Sequence, residues 1–380
     1  MAEPHTPEET MEIIPVSSSK HQKMFLRLPY KIYRNDPIWV PPLWSDYTGQ
    51  FDHRRNPFLN HCHFKLFLLM ENGQAVGRIA AFYDTLANDF WHEAVGLFGY
   101  FEAPQTGPGA DRLLSAAHDW LKKQGMTSMR GPWSFVSQEW GSVIEGYSPA
   151  ATVMSPYNPP FYNDHYAAFS LQKVKDLWVY AIDASQGYRI PERILTLTDR
   201  VSEKYGVRIR HIRMDHLEDE VNTIMALSNN SLEYNWGYSP VTDDEVRAMA
   251  HDLKPVIHPR AVLFAETSTG VPIGFAIAIP DVNILLKQIN GRMFPLGWLK
   301  LLMGIPNLKQ YRMFALGVIP QYHGKAIDSL LYRALYESIY SQELFLEINY
   351  VLEDNDRMNN AIIKLGAVPY RKYRIYQKPI

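Results

Sequence analysis

The alternation of apolar and polar positions repeats one short design twice along the chain. An apolar run at 64–70 reaches the turn Glu71-Asn72-Gly73, and 74–83 returns as a second strand with Gly77 inside it. The run 261–266, the turn 267–270 and the return 271–279, with Gly274 inside, follow the same plan. Gly77 and Gly274 stand 197 residues apart, as do the trailing Asp84 and Asp281. Matched residues at one offset predict a duplicated αβ unit. In the first copy a strand at 94–101 precedes a helix at 111–123, whose stripe is Leu113, Leu114, Ala117, Trp120 and Leu121, closed by Gly125. In the second, a strand at 312–318 precedes a helix with Ile327, Leu330, Leu331, Ala334, Leu335, Ser338 and Ile339 on one face. A strand at 344–348 and a helix at 356–365 follow.

The Ser-, Gly- and Pro-containing stretch 183–191 separates the copies, which gives domains 1–183 and 184–380. Residues 281–310 have no counterpart in the first copy and read as a helical insertion. Their apolar centre, 293–305, is interrupted by Pro295, Gly297, Lys300 and Gly304 and is too short to cross the ~30 Å hydrocarbon layer. It reads as a surface lid, an interface element or a buried helix, with no integral membrane insertion.

Composition narrows the picture. Of the 380 residues 46% are hydrophobic and 21% charged, which excludes a mainly disordered chain. Thirty-eight basic against forty acidic residues leave no dispersed basic footprint, so no nucleic-acid partner is expected. A single cysteine, Cys62, excludes an internal disulfide framework, and His61-Cys62-His63 cannot converge well enough to suggest a metal, so none is expected. Residues 1–10 are acidic and lack the pattern of a secretory signal. A cytoplasmic protein is the natural expectation.

The most informative local sequence runs Leu316-Gly317-Val318-Ile319-Pro320-Gln321-Tyr322-His323-Gly324-Lys325-Ala326, in the order strand, turn, helix. Gly324 permits close backbone approach, and unpaired amides at the helix start attract anions. Read without further context, the segment is either an anion cradle or an ordinary strand-to-helix turn.

This segment resembles the Gln/Arg-x-x-Gly-x-Gly/Ala signature of GNAT-type acyl-CoA N-acyltransferases, on Gln321, Gly324 and Ala326. Asn355, Met358, Ala361, Leu365 and Gly366 resemble the family's later helix, with Ala367 in place of the usual Phe. The resemblance covers about 207–380, a decayed copy covers the first half, and the whole looks like a bacterial family with two tandem GNAT-like domains. It implies an α/β fold with a twisted mixed sheet between helices, in which two strands splay to admit the pantetheine arm of acetyl-CoA or another acyl-CoA. Leu316, Gly317 and Val318 would line that arm. Gln321, Tyr322, His323, Gly324, Lys325 and Ala326 would cradle the diphosphate, and Asn355 would approach from the other strand. In the first copy Pro108, between Gly107 and Gly109, removes a donor, so that half is read as structural or substrate-shaping.

The reaction implied is direct transfer to an amine in a ternary complex, with acetyl transfer to a small primary amine as the leading expectation and a peptide amine as a further acceptor class. A longer acyl chain, with 293–305 enlarging the channel, and a noncatalytic acyl-CoA-binding protein are the alternatives. Glu347 is the candidate base and His323 a second one. The family's thiolate-protonating tyrosine is matched by Ile362, which cannot donate, so Tyr370 and Tyr373 are candidate substitutes. Aromatic-rich segments at 130–147, 157–162 and 234–238 suggest an acceptor pocket between the halves, with Trp236, Tyr238, Glu139, Tyr157 and Asn158 as candidate contacts.

Overall fold

The computed structural model describes residues 11–136, 139–232 and 235–380; residues 1–10 and Tyr234 of the aromatic segment lie outside them. The first half supplies strands β1 (Met11–Pro15), β2 (Cys62–Glu71), β3 (Gln74–Asp84), β4 (Val95–Glu102), β5 (Ser128–Gly131), β6 (Ser142–Glu145) and β7 (Gln172–Asp183). Its helices are α1 (Ser19–Ile32), α2 (Trp44–Gly49), α3 (Thr85–Trp91), α4 (Gly109–Lys123) and α5 (Phe161–Ala168). The second half supplies β8 (Arg208–His211), β9 (Val262–Glu266), β10 (Pro272–Pro280), β11 (Gln310–Val318), β12 (Phe345–Leu352) and β13 (Val368–Pro379). Its helices are α6 (Glu192–Tyr205), α7 (Leu217–Leu232), α8 (Asp243–Leu253), α9 (Asn283–Ile289), α10 (Gly297–Gly304), α11 (Ile327–Ile339) and α12 (Asp356–Lys364).

All thirteen described strands join one mixed sheet in the order β1-β2-β3-β4-β5-β13-β7-β12-β11-β10-β9-β8, with β6 also on β13. Two strands cross between the halves. β7 lies between β12 and β13 of the second half, and the carboxyl-terminal β13 pairs with β5 and β6 of the first. The halves 1–183 and 184–380 are therefore interleaved, each completing the other's sheet.

The repeated glycines have one physical cause. A Cβ on Gly77 would lie 2.8 Å from the Glu102 carbonyl of the next strand and 2.9 Å from Leu113 of α4. On Gly274 it would lie 2.9 Å from the Gly317 carbonyl and 3.4 Å from Leu331 of α11. Both positions let a third strand and a covering helix close down at the same point of the hairpin. Behind each, the apolar stripe of α4 or α11 fills the core: Leu113, Leu114, Ala117 and Leu121, or Ile327, Leu331, Leu335 and Ile339, are all buried. The insertion expected at 281–310 folds as the helices α9 and α10. Among the described residues no helix is long and apolar enough to cross a membrane.

Candidate functional site

β11 and β12 run parallel and pair from Gln310–Phe345 to Met313–Ile348, and then part. Each is held by its outer neighbour: β11 stays on β10 through Val318, and β12 regains β7 at Val351 and Leu352 after a register shift. The strands therefore diverge with inner edges unpaired. A cavity of about 420 Å³ opens in the V, within the size range of small-molecule sites. Phe314, Ala315 and Leu316 form one wall and Asn349, Tyr350 and Leu352 the other.

Two helices roof it. α7 presents Val221, Ile224, Met225 and Ser228, and α8 presents Val246, Met249, Ala250 and Leu253, spacings that keep one helical face over the cavity. The apolar face of α8 is half-buried: Val246, Met249 and Ala250 border the cavity, and Leu253 borders it and also packs on the Phe264–Phe275 core. The first half closes the remaining side with Trp91, Trp133, Trp140, His61 and Asp84.

At the root of the V sits a buried polar knot, of which Asn349, Tyr350 and Trp140 line the cavity while Glu347 and Arg312 lie behind its wall. Glu347 and Arg312, register partners on β12 and β11, are both 0% exposed. Glu347 Oε1 accepts from Thr152 Oγ1 at 2.7 Å and from Asn349 Nδ2 at 3.2 Å. Arg312 Nε donates to Asn349 Oδ1 at 3.0 Å and its Nη1 to the Val153 carbonyl at 2.7 Å. Glu347 Oε2, Arg312 Nη2, the Tyr350 hydroxyl and Trp140 Nε1 are buried and have no hydrogen-bond partner among the described residues. Burial pushes the Glu347 carboxyl up, against the pull of Arg371, the Thr152 bond and Arg312. Burial likewise holds the Tyr350 phenol far above its ordinary value, so it stays protonated.

Beyond β11 the chain makes a 3-10 turn, Pro320–Tyr322, and passes through Gly324 (φ +77°) and Ala326 (φ +56°) into α11. Among the described residues the amides of Gly324, Ala326 and Ile327 make no backbone hydrogen bond, and a Cβ on Gly324 would meet nothing within 4 Å. The turn thus faces outward with donors at a helix start. His323 Nε2 lies 2.7 Å from the Val318 carbonyl, which makes its ring a brace of the turn. Lys325 Nζ lies over the Tyr322 ring, 4.2 Å from its centroid, and Gln321 is exposed. Leu316 and Asn355 line the cavity, Asn355 also capping α12 by accepting from the Met358 amide; Gly317 and Val318 are buried in the β10–β11 pairing.

The remaining candidates divide. Trp236 and Tyr238 line the cavity, Trp236 stacked on Trp140 with ring centroids 6.5 Å apart. Glu139 lies near Arg312, and burial pushes its carboxyl up. Tyr157 is bonded to Asp36 away from the cavity, and Asn158 braces β6 by accepting from the Val143 amide at 2.7 Å. Tyr373 is fully buried, accepting from Arg371 at 3.3 Å, whereas Tyr370 meets Phe345 edge to face beside a second cavity, where burial pushes its phenol up to about 12. Ile362 is buried in the helix-side core. The segment 293–305 does not line the cavity.

Sequence reasoning misses Arg312 and Tyr350, and considers His61 only within the His61-Cys62-His63 run that it sets aside as a metal site. Glu347 and Asn349 alternate with the apolar Leu346 and Ile348, a polar stripe inside a core strand, and that was the available signal. His61 Nδ1 lies 2.8 Å from Asp84 Oδ1 and its Nε2 3.3 Å from Glu245 Oε2. Burial disfavours the charged ring, but the bonds to Asp84 and Glu245 outweigh it and push its pKa up to about 9. Both nitrogens therefore donate at neutral pH, tying the first half to α8. Glu245 Oε2 also accepts from the Thr242 amide in the capping box of α8. Among the described residues no group of three or more His, Cys, Asp or Glu is arranged to hold a metal ion.

No protein-family model matches the chain. It superposes on a tandem GNAT protein from the clavulanic acid biosynthesis pathway with a TM-score of 0.58 at 14% identity, over 97% of this chain and 98% of that one, which shows a GNAT fold. It is 29% identical over 379 residues to the bacterial ceramide synthase of Caulobacter vibrioides (strain NA1000 / CB15N), covering 97% of this chain and 98% of the relative. It is 31% identical over 369 residues to Protein YghO of Escherichia coli (strain K12), covering 94% of this chain and 93% of the relative. On that similarity the chain belongs to the family of Protein YghO.

Proposed function

We propose that the protein is an acyl-CoA-dependent N-acyltransferase acting on an amine with a long apolar chain, its second half (184–380) holding the acyl-CoA and its first half (1–183) shaping the acceptor site. The observation that carries this is the V between β11 and β12, which opens onto an apolar cavity and has a buried carboxylate at its root. An acyl-CoA fits the residues present: unpaired strand edges at 314–318 for the pantetheine arm, and free amides with an open Gly324 for the diphosphate. When bound, it supplies the activated acyl carbonyl.

Glu347 takes the proton of the incoming amine across a water, since the carboxylate lies behind the cavity wall rather than in it. Burial raises its pKa, the direction in which a carboxylate gains basicity. Tyr350, a cavity-lining phenol held protonated, fills the donor role that Ile362 cannot perform. Tyr370 and Tyr373, by contrast, do not line the cavity. The apolar face that α8 turns to the cavity favours a long acceptor chain over a small amine, and the similarity to a ceramide synthase supports the same choice, a ceramide being the amide of a long-chain amine.

The test is CoA release across acyl-CoAs of increasing chain length, with both short and long-chain primary amines. Turnover should need a long-chain amine. Binding of acyl-CoA without turnover on any amine would return the protein to the noncatalytic reading, and absence of acyl-CoA binding would remove the assignment.

A further inference from the structure

The most exposed apolar side chains of the described structure gather in one short segment outside the candidate site. Phe294 is 79% exposed, Leu296 69%, Leu302 66%, Met303 59% and Trp298 46%. Singly exposed apolar residues are ordinary, but five within ten residues form a patch that needs an explanation.

The patch is rigidly mounted. On its inner side Leu301 and Ile305 pack on Val282, Leu285 and Leu308, and Gly304 lets α10 close on α9, where a Cβ would sit 2.8 Å from Leu285. Gly291 anchors the preceding turn to the first half, its carbonyl accepting from the Trp44 amide at 3.4 Å. Trp44 extends the apolar surface and carries Arg27 over its ring at 5.8 Å. The segment is therefore a built surface with one face packed and the other bare.

Its charge is one-sided. From Val282 to Ile327 the sequence contains no Asp or Glu. Arg292, Lys300 and Lys309 are exposed around the apolar side chains, and among the described residues none of them makes an ion pair. Apolar side chains with a tryptophan, fringed by unpaired cations and too short to span, match the chemistry of an anionic membrane interface.

We propose that the α9–α10 hairpin docks the protein on the surface of an anionic lipid bilayer. Phe294, Leu296, Trp298 and Leu302 enter the headgroup–acyl boundary, and Arg292, Lys300 and Lys309 meet lipid phosphates. Docking also sets a second cavity, of about 600 Å³, beside the bilayer: α9 lines it with Asn283, Ile284 and Lys287, and Thr152, the partner of Glu347, stands in its wall.

The experiment is flotation of the full-length protein with vesicles of phosphatidylethanolamine and phosphatidylglycerol, and in parallel with phosphatidylcholine alone. The wild type should bind the anionic vesicles at least tenfold more tightly. Combining Phe294→Ser, Leu296→Ser, Trp298→Ser and Leu302→Ser should weaken that binding at least tenfold with an unchanged circular dichroism spectrum. Combining Arg292→Glu and Lys300→Glu, which touches no packed side chain, should abolish the preference for anionic lipid. Failure of the wild type to float, or vesicle binding unchanged in both variants, overturns the proposal. So does a wild-type dimer that ignores vesicles and becomes monomeric in the serine variant, an outcome that gives this face to a second copy of the chain. None of these readouts depends on acyl transfer.

Discussion

The two halves of the sheet contain the same divergence, and only one of them is open. In the first half β4 and β5 pair in parallel from Val95–Ser128 to Leu97–Arg130 and then part, as β11 and β12 do. There the gap is filled by the chain itself. The Trp133 amide donates to the Phe98 carbonyl at 2.8 Å, and Phe135 packs among Phe51, Phe64, Phe82 and Tyr100. Both carboxylate oxygens of the buried Glu102 are occupied, one by Arg78 at 3.3 Å and the other by Tyr33 and Tyr162. Arg78 Nε is the one atom of that cluster without a partner among the described residues, whereas at the second gap Tyr350 and Trp140 keep unpartnered atoms in the cavity wall, and Glu347 and Arg312 keep one each in the knot behind it. A splayed sheet is thus a scaffold rather than a site. The site arises where no segment of the chain enters the gap and its polar atoms remain for a ligand.

Filling tests that difference most severely. A Cβ on Gly99 would lie 1.6 Å from the Trp133 carbonyl oxygen, a backbone atom that cannot swing aside. Gly99→Ala should therefore destabilise the fold on the order of 3 kcal/mol, measured by denaturant unfolding. Ala315, on the open wall, borders empty space. Ala315→Trp should leave stability within about 1 kcal/mol while reducing acyl transfer at least about a hundredfold, because the ligand's place is taken. Equal effects on stability would mean that both gaps are packed alike.

The root of the open gap is probed by Glu347→Gln, a change that keeps shape and removes the charge. We expect kcat to fall about a hundredfold with acyl-CoA affinity unchanged, since a general base contributes on that scale. The wild-type rate should climb as pH rises through the raised pKa of Glu347, because only the ionised carboxylate accepts a proton, and the variant should lose that limb. A wild-type pH profile preserved in the variant would remove Glu347 from the chemistry. A smaller effect belongs to Gly324→Val. At φ +77° a branched side chain costs about 1 kcal/mol of local strain, and its bulk would cover the amides of the turn. Acyl-CoA should dissociate about tenfold more readily, a loss of similar size in free energy. Titration calorimetry with CoA reads this directly.

Much of this comparison was legible in the sequence where local backbone needs are strict. Gly77 and Gly274 announce the repeat because each must let one particular carbonyl approach. The turn 316–326 is readable because strand, glycine and helix follow each other without interruption. The crossing of β7 and β13 was not, since which edge a strand joins is decided by pairings across most of the chain, Gln377 with Arg130 among them. Arg312 and Tyr350 read as ordinary strand residues until the fold sets Arg312 over the Tyr350 ring and Tyr350 against Trp140. Trp236 and Tyr238 were visible as an aromatic cluster, yet so were Tyr157 and Asn158, which went to packing. Composition carries no signal that separates the two fates.

His61 gives the finest probe, because it asks what holds the roof of the open half over its cavity. Its ring joins Asp84, on the first half, to Glu245, on the roof helix α8, and α8 buries none of its own residues. The folded pKa of about 9 lies above the ordinary 6.5. The contribution to stability is therefore complete below about 6.5 and fades as pH rises through about 9. His61→Ala should accordingly cost on the order of 1–2 kcal/mol at pH 6, where a charged partner of two carboxylates is lost. At pH 9.5 it should cost much less. A thermal-unfolding series across that window checks the sign, and hydrogen exchange in α8 checks the location. The same deficit at every pH would show that His61 serves only as packing, and α8 would then owe its position to the Trp91–Tyr238 contact, an indole N–H on a backbone carbonyl at 2.6 Å.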